Sequence, residues 1–499
     1  MNSPAFSRRT VIGMLGLAAA GSALAACSSP APAPTAAPAA PTSAPNTAAP
    51  AAKPTTAAAQ PTAAPRPTTA ATTANPSPTL APASVSQGPV TVTEMAIRNE
   101  WPDDKVITPW SQDSKIKINF VNYDLVHMIA MTAAGNPPDM FRCQAPDVPY
   151  FLTLKMVADL TPYFQQTKDL AEDNLAPSNK NYWYSGLQPG FGQIYGMVKD
   201  WSPDLSLYIN KSIFQEQGVP IPSDDTVLTY EQMYDMAKQL TKKQGARTLI
   251  FGYNGTGHDW WDRQVEAMLN TAGKSMWPAD FGKLDWDSSD VRQVLQYWFT
   301  MMKENLMTNP LNPAPAWAGQ NFVDKQLAIC QYGYWFSGMV NGSKVQDDTV
   351  LLSAPKWGPT HQDPTITATG DMIHSHTKNV DAVWKVFDWF HTGEPALERA
   401  KSGWGVPALK SLYQYMPTDN AFQKQVNKVL TGDLQISEVA IRYNPYIDQS
   451  ENVAQNPILD AWFKNLEPAL KGQLTFDQLV KNVESATNDA ITNGKVGMG

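Results

Sequence analysis

A long stretch of alanine, proline and threonine limits where this 499-residue chain can fold. The residues from Ser28 to Gly88 include 21 Ala, 14 Pro and 11 Thr, and none of them is aromatic. Proline removes backbone donors, and alanine and threonine bring too little apolar area to build a core. We therefore predict an extended, solvated tether over this stretch and a folded domain at residues 89–499.

The residues before the tether have the features of an export signal. Arg8 and Arg9 precede a short apolar segment, which is too short to span a bilayer comfortably. The Leu-Ala-Ala-Cys sequence that ends at Cys27 resembles a bacterial lipobox, and this resemblance implies a lipid on the Cys27 thiol. We predict a twin-arginine signal peptide at 1–26, a lipidated cysteine and tether at 27–88, and a location on the outer side of the cytoplasmic membrane. The alternatives are an ordinary cleaved signal and a short anchor helix.

The charge balance of the folded part excludes one class of partner. Four of the 38 basic residues precede Gly88 and no acid precedes Glu94, so 34 basic residues remain against 46 acidic ones. An acidic balance without a basic patch argues against nucleic acid binding. Cys143 and Cys330 lie in apolar, strand-like stretches. We expect two buried free thiols, with a disulfide as the alternative.

The folded part alternates between strand and helix patterns. Thr91–Ile97 and Lys115–Val121 show the period of two that is expected of strands. Capping boxes at Thr229 and Thr475 predict helices directly after them. Strands that alternate with helices predict an α/β fold with mainly parallel sheets flanked by helices.

Several short blocks of sequence resemble the extracellular solute-binding proteins of the maltose-binding type. Each block is weak alone, but together their order and spacing extend the resemblance over nearly the whole folded part. The blocks are Ala133–Met140, Ile194–Gly196, Leu207–Phe214, Thr229–Gln232, Lys325–Trp335, Lys378–Phe390 and Gly405–Ala408. The resemblance implies a two-lobed fold of the Venus flytrap type, in which the lobes close over a ligand and a permease reads the closed form.

The resemblance also implies boundaries for the two lobes. We expect lobe one at about 90–200 plus 367–408, and lobe two at about 204–365 plus 409–499. Only about 17 residues separate the first two predicted strands, and Pro109 lies among them. We therefore expect the first helix to be short or broken.

The abundance of tryptophan favours a sugar as the ligand. All 16 Trp follow the tether, and a flat aromatic ring suits the C–H face of a pyranose, while carboxylates and amides bond its hydroxyls. We selected aromatic and charged residues at strand ends and in loops near the expected cleft, and we assign tryptophans at helical spacing to the core. The predicted ligand-binding residues are Asp147, Tyr150, Trp201, Asp259, Trp260, Trp261, Trp335, Asp371, Trp404, Arg442 and Tyr443.

These observations predict a monomeric lipoprotein that captures a sugar or oligosaccharide and delivers it to the permease subunits of an ABC transporter. A polyamine or another cationic solute is the alternative ligand, because acids among aromatic rings also suit a cation. The sequence contains no H-E-x-x-H, no G-x-S-x-G and no glycine-rich phosphate loop, so we predict no enzyme and no cofactor. A glycoside hydrolase is a less favoured alternative, since the spatial separation of paired carboxylates is invisible in a sequence. His374 and His376 lack a third ligand nearby, so we predict no metal site.

Overall fold

In the computed structural model, residues 90–451 and 453–497 are described. The signal segment, Cys27 and the whole tether lie outside the described residues, so the predictions made for them stay predictions. Within the described part, no helix combines the length and the apolar character that crossing a membrane requires.

Fifteen strands occur in the described part of the chain. Their bounds are β1 Val90–Ala96, β2 Ile116–Asn122, β3 Met140–Cys143, β4 Trp183–Ser185, β5 Gln188–Pro189, β6 Gln193–Ile194, β7 Gly196–Val198, β8 Asp200–Trp201, β9 Leu207–Asn210, β10 Lys242–Gln244, β11 Arg247–Gly255, β12 Leu327–Gln331, β13 Thr349–Leu352, β14 Gly370–Ile373 and β15 Val406–Pro407.

Sixteen α-helices occur in the same residues. Their bounds are α1 Asp104–Ser114, α2 Leu125–Ala133, α3 Val148–Thr153, α4 Thr161–Gln166, α5 Lys211–Gln217, α6 Tyr230–Leu240, α7 Thr256–Asp259, α8 Trp261–Thr271, α9 Ser289–Lys303, α10 Ala318–Val323, α11 Ser337–Val340, α12 Val380–Thr392, α13 Glu394–Ser402, α14 Ala421–Asp433, α15 Pro457–Leu470 and α16 Phe476–Gly497.

Two five-stranded sheets form the centres of the two lobes. Sheet one has the order β2-β1-β3-β14-β7, and sheet two has the order β10-β11-β12-β9-β13. The first contains alternating strands such as β2, whose buried residues Ile116 and Ile118 face the core while Lys117 is exposed. The α/β fold with two lobes is therefore confirmed.

The prediction that the sheets are mainly parallel is wrong in detail, because both sheets are mixed. In sheet one β14 runs antiparallel to both β3 and β7, and in sheet two β9 runs antiparallel to both β12 and β13. Both strands follow directly after the chain has crossed from the other sheet. A strand that enters from the far lobe runs against the strands already there, and periodicity along the sequence carries no signal of this.

The capping box predicted the start of a helix correctly, whereas the proline in the sequence led to a wrong prediction. Thr229 and Gln232 form the predicted capping box at the start of α6, with both side chains bonded to backbone N–H groups. Helix α1 was expected to be short or broken, but it runs for 11 residues with Pro109 inside it. Because Pro109 is exposed, the carbonyl that loses its N–H partner lies on the solvent side, where water can bond it.

The chain passes between the two sheets through crossing segments. The first joins β7 to β9, the second joins β13 to β14, and in the first the strand β8 pairs with β15 as a two-stranded ribbon. Helix α14 follows β15 and packs on β13, so the chain crosses once more before its last helices. Cys143 in β3 and Cys330 in β12 are buried free cysteines, one in each main sheet.

Candidate functional site

A row of aromatic rings lies beside the first crossing segment. The ring of Trp335 lies 4.9 Å from that of Tyr332, 6.0 Å from that of Trp404 and 6.3 Å from that of Trp260, measured between centroids. The ring of Trp317 extends the row at 6.1 Å from Tyr332. Trp317 and Trp404, at the two ends, are 49% and 50% exposed. We call these five residues the aromatic cluster.

The strand topology brings the aromatic cluster together. Trp260 follows β11 and α7, and Tyr332 and Trp335 follow β12, which is parallel to β11. The carboxyl ends of parallel neighbours meet at one edge of a sheet, where α/β proteins bind their ligands. The backbone N–H of Trp335 donates to Ser202 Oγ at 3.1 Å, so the first crossing segment holds the backbone of this residue in place.

Asp259 lies within this row, and two side chains fix its carboxylate. Its Oδ1 is 2.9 Å from His258 Nδ1, and its Oδ2 accepts a hydrogen bond from the hydroxyl of Tyr332. Burial and then the charge of Asp259 raise the pKa of Tyr332 well above its ordinary value, so this hydroxyl stays a donor. The Asp259 side chain remains 32% exposed, which leaves it able to accept from a ligand hydroxyl.

A set of four charged residues lies at the end of sheet one. The guanidinium of Arg142 in β3 donates to Glu100 at 3.0 Å, and Lys199 Nζ lies 2.7 Å from Asp200 and 3.8 Å from Glu100. Burial works against ionisation of Glu100, but Lys199 and Arg142 outweigh it and hold its pKa below the ordinary value. We call these four residues the charged cluster; its formal charges sum to zero.

The two clusters are joined by the segment that runs from Lys199 to Ser202. Asp200 packs against the backbone of Gly405, where an added Cβ would lie 2.9 Å from the Asp200 Cβ. Gly405 directly follows Trp404, and Ser202 holds Trp335. Trp404, the rings that follow the strands of sheet two, and the charged groups at the end of sheet one therefore all lie beside the same crossing segment.

Four of the predicted ligand-binding residues belong to this region: Asp259, Trp260, Trp335 and Trp404. Three others lie in the protein core. Trp261 is fully buried and stacks on Trp462 at 3.9 Å, Trp201 donates from its indole N–H to the carbonyl of Pro407 at 3.2 Å, and Asp371 is buried 3.3 Å from His391. The proposal below omits these three residues.

The remaining predicted residues lie outside both clusters. Asp147 is buried and accepts from the backbone N–H of Gln144 at 3.3 Å; burial and then Asp448 raise its pKa to about 7. Tyr150 is half-buried, and Tyr443 is buried with its hydroxyl 3.4 Å from the carbonyl of Ile366.

Arg442 has a packing role in the structure. Its guanidinium lies 4.5 Å from the centroid of the Phe281 ring and donates to the carbonyl of Pro278 at 3.0 Å. These groups occupy the donors that a ligand would need, so Arg442 is also omitted from the proposed site.

Sequence reasoning missed Trp317, Tyr332 and the charged cluster. Tyr332 stands three residues before Trp335, directly after β12, so its position at a strand end was a usable signal. Trp317 precedes a short helix and lies far from any strand end. The charged residues come from three separated parts of the chain, after β1, in β3 and directly after β7, and only the folded sheet brings them together.

The described residues hold no group of three or more His, Cys, Asp or Glu side chains arranged for a metal ion. His374 Nδ1 accepts from the backbone N–H of His376 at 3.1 Å, and His374 Nε2 lies 3.1 Å from Thr132 Oγ1. Burial and then His376 lower the pKa of His374 to about 4. The hydrogen bonds of His374 therefore hold the neighbouring backbone and side chains together.

Two α/β lobes on separate sheets, joined by crossing segments beside an aromatic and a charged cluster, define a two-lobed solute-binding fold. The chain belongs to the bacterial extracellular solute-binding protein family, whose model matches residues 103–392, more than half of its length. No curated protein sequence matches the chain.

Solved structures of other binding proteins share this fold. An ABC substrate-binding protein from Listeria monocytogenes in complex with cycloalternan has a TM-score of 0.65 and 19% identity, over 81% of this chain and 99% of that chain. A maltose/maltodextrin-binding domain from Bdellovibrio bacteriovorus bound to maltotriose has a TM-score of 0.59 and 14% identity, over 81% and 99%. An ABC transporter associated binding protein from B. animalis subsp. lactis in complex with beta-1,6-galactobiose has a TM-score of 0.60 and 15% identity, over 82% and 98%.

Proposed function

We propose that this protein is a lipid-anchored, extracytoplasmic binding protein that captures a sugar or oligosaccharide between its lobes and delivers it to an ABC transporter permease. One observation carries the proposal of a sugar: an aromatic cluster with partly exposed rings stands beside a charged cluster without net charge. The family assigns solute binding. The lipid anchor on Cys27, the permease and the identity of the ligand belong to the proposal.

The aromatic cluster has the chemistry that a pyranose requires. Trp260 and Trp335 are partly buried, while Trp317 and Trp404 are about half exposed at the two ends of the row. An electron-rich ring face attracts the polarised C–H groups of a sugar, and a row of rings offers more than one such face. Asp259 is positioned within the row to accept from a hydroxyl.

The charged cluster favours a neutral polyhydroxyl ligand over a polyamine. Glu100 is paired with Arg142 at 3.0 Å and Asp200 with Lys199 at 2.7 Å. A polyamine gains affinity from carboxylates that have no other cation, and these two carboxylates already have one each. Paired carboxylates and their basic partners still offer acceptors and donors to ligand hydroxyls, as sugar recognition needs.

We place the lobe boundaries of this binding protein at 90–200 plus 367–408 for lobe one and 204–365 plus 409–499 for lobe two. In this arrangement the lobes close about the crossing segments. A ligand drives closure only if it binds the closed form more tightly than the open form. Contacts to Trp260, Trp317, Tyr332 and Trp335 from lobe two, and to Trp404 and the charged cluster from lobe one, provide that difference, because only the closed form offers both.

A thermal-shift screen of the chain without residues 1–27 tests the ligand class. Maltotriose, beta-1,6-galactobiose and cycloalternan are the first saccharides to include, together with spermidine and divalent metal ions. A ligand that binds only the folded state raises the melting temperature by mass action. The proposal expects stabilisation by at least one saccharide. Stabilisation by spermidine or a metal alone would overturn the assignment of a sugar, and release of reducing ends from an oligosaccharide would favour a hydrolase instead.

A further inference from the structure

Reciprocal hydrogen bonds join the first two crossing segments, because a carboxylate of each segment accepts from the backbone of the other. Asp204 in the first segment accepts from the backbone N–H of Ile366 in the second at 2.9 Å. In return, Asp363 in the second segment accepts from the backbone N–H of Leu205 at 2.8 Å and from Ser206 Oγ at 2.9 Å. Each segment therefore holds the backbone of the other through a carboxylate.

A third carboxylate meets this pair from helix α14. Asp433, the last residue of α14, has its Oδ2 only 3.3 Å from Ser206 Oγ, while its Oδ1 accepts from the hydroxyl of Ser353. Asp204, Asp363 and Asp433 are all almost completely buried. Burial is the largest influence on the pKa of each of the three. We call these three acids and Ser206 the carboxylate clasp.

Ser206 has too few hydrogens to bond both neighbouring carboxylates if both of them are ionised. A serine hydroxyl has one hydrogen, yet Ser206 Oγ lies within hydrogen-bonding distance of Asp363 Oδ2 and Asp433 Oδ2. With both carboxylates charged, one of them faces a lone pair in a buried place, which is costly. One additional proton solves this, because one carboxyl then donates to Ser206 Oγ and the Ser206 hydroxyl donates to the other carboxylate.

We propose that the clasp holds one shared proton between Asp363 and Asp433, and that loss of this proton loosens the connection between the two crossing segments. The binding site would then become pH-sensitive through its hinge, and this consequence rests on the function proposed above. The proton itself can be tested without any ligand, so failure of the sugar assignment does not affect the test.

The pKa shifts of the clasp acids agree with one additional bound proton. Burial raises the pKa of Asp433 to about 6, and burial and then the charge of Asp433 raise the pKa of Asp363 well above its ordinary value. Burial also raises the pKa of Asp204 to about 6, although four hydrogen bonds oppose it. The other titratable groups that face the clasp are His361, 3.1 Å from Ser353 Oγ, together with Tyr230 and Tyr443. Arg263 also lies nearby, because it donates to the carbonyl of Ile366 at 3.3 Å. Because the folded pKa values are raised, the stabilisation is fully present below the ordinary aspartate pKa of about 4, and it is lost as pH rises from there through the raised values.

Hydrogen exchange of the full-length chain, corrected for the intrinsic pH dependence of the rate, tests the proposal. The amides of Leu205 and Ile366 donate to clasp carboxylates and report on it directly. We expect their protection to fall by about tenfold between pH 5 and pH 7, across the raised pKa of about 6 at Asp433. In Asp433→Asn the amide supplies the missing hydrogen to Ser206 permanently. The protection of the Leu205 amide, which donates to Asp363, should therefore no longer depend on pH.

Asp363→Asn provides a second variant, because its amide can supply the same hydrogen from the other side of Ser206. It decides the matter if Asp433→Asn does not fold. Asp419→Asn is the matched control, since this aspartate lies near the same helix but is exposed, and it should retain the response of the unmodified chain. A pH-independent protection in the unmodified chain, or an unchanged pH response in both clasp variants, would overturn the shared proton.

Discussion

Replacing Trp260 and Trp261 by alanine, one at a time, separates the binding site from the core at two adjacent positions. Trp261 is fully buried, stacks on Trp462 at a centroid distance of 3.9 Å and meets Trp286 edge-on at 5.4 Å. Truncation of a buried tryptophan costs about 3–5 kcal/mol, because the protein loses the transfer energy and retains a cavity. We expect a loss of that size in the free energy of unfolding for Trp261→Ala.

Trp260 has the opposite profile. It is partly exposed, and the centroid of its ring lies 5.8 Å from that of Tyr332 and 6.3 Å from that of Trp335, both members of the aromatic cluster. Its truncation should cost about 1 kcal/mol of stability, the typical effect of a single substitution. If its ring stacks on the ligand, removal should cost about 2 kcal/mol of binding, the size of a hot spot, which is about 30-fold in Kd.

The assay combines urea denaturation with titration calorimetry, using maltotriose and beta-1,6-galactobiose as the probes. Each variant is the control for the other, since both remove the same side chain. We expect a shifted denaturation midpoint with retained affinity at 20 °C for Trp261→Ala, and reduced affinity with a nearly unchanged midpoint for Trp260→Ala. Equal losses of stability, or a selective loss of affinity in Trp261→Ala, would refute the reasoning.

Three further predictions follow from other parts of the chain. Burial raises the pKa of Glu266 to about 7, so its contribution to stability is lost as pH rises from below 5 through 7, and Glu266→Gln should flatten the change in urea midpoint between pH 5 and pH 8. Arg142→Ala should weaken saccharide binding about tenfold in calorimetry, because Glu100 loses its nearest cation, and Arg142→Lys should recover part of the affinity. Equal affinity in all three proteins would contradict a role for the charged cluster. Cys27→Ala should release the protein from the membrane fraction without changing affinity, and a loss of affinity would contradict the separate role of the lipid.

Much of the fold could be predicted from the sequence, because its signals are local. The capping box at Thr229 fixes the start of α6, and the alternation in β2 fixes which side chains face the core. The reversed strands β9 and β14 could not be predicted in this way. Their direction depends on where the chain re-enters a sheet after a crossing, and no local pattern records it. Pro109 led to the wrong prediction of a short or broken helix, because this one exposed proline did not end α1.

Prediction of the candidate site succeeded mostly for residues that follow the end of a strand. Trp260 and Trp335 follow β11 and β12, and both entered the aromatic cluster. Trp261 shares the composition and neighbourhood of Trp260, but it begins a helix and points into the core. Glu100 and Lys199 are almost 100 residues apart, and their 3.8 Å contact exists only because β1 and β7 end at the same edge of sheet one.

A crystal structure of the protein with a saccharide that stabilises it tests the central claim most directly. The account predicts a sugar ring stacked on Trp335 or Trp260, with hydroxyls bonded to the charged cluster or to Asp259. A saccharide bound elsewhere, for instance in the groove of about 420 Å³ beside Trp183 and Lys410, with the aromatic cluster unchanged, would contradict it.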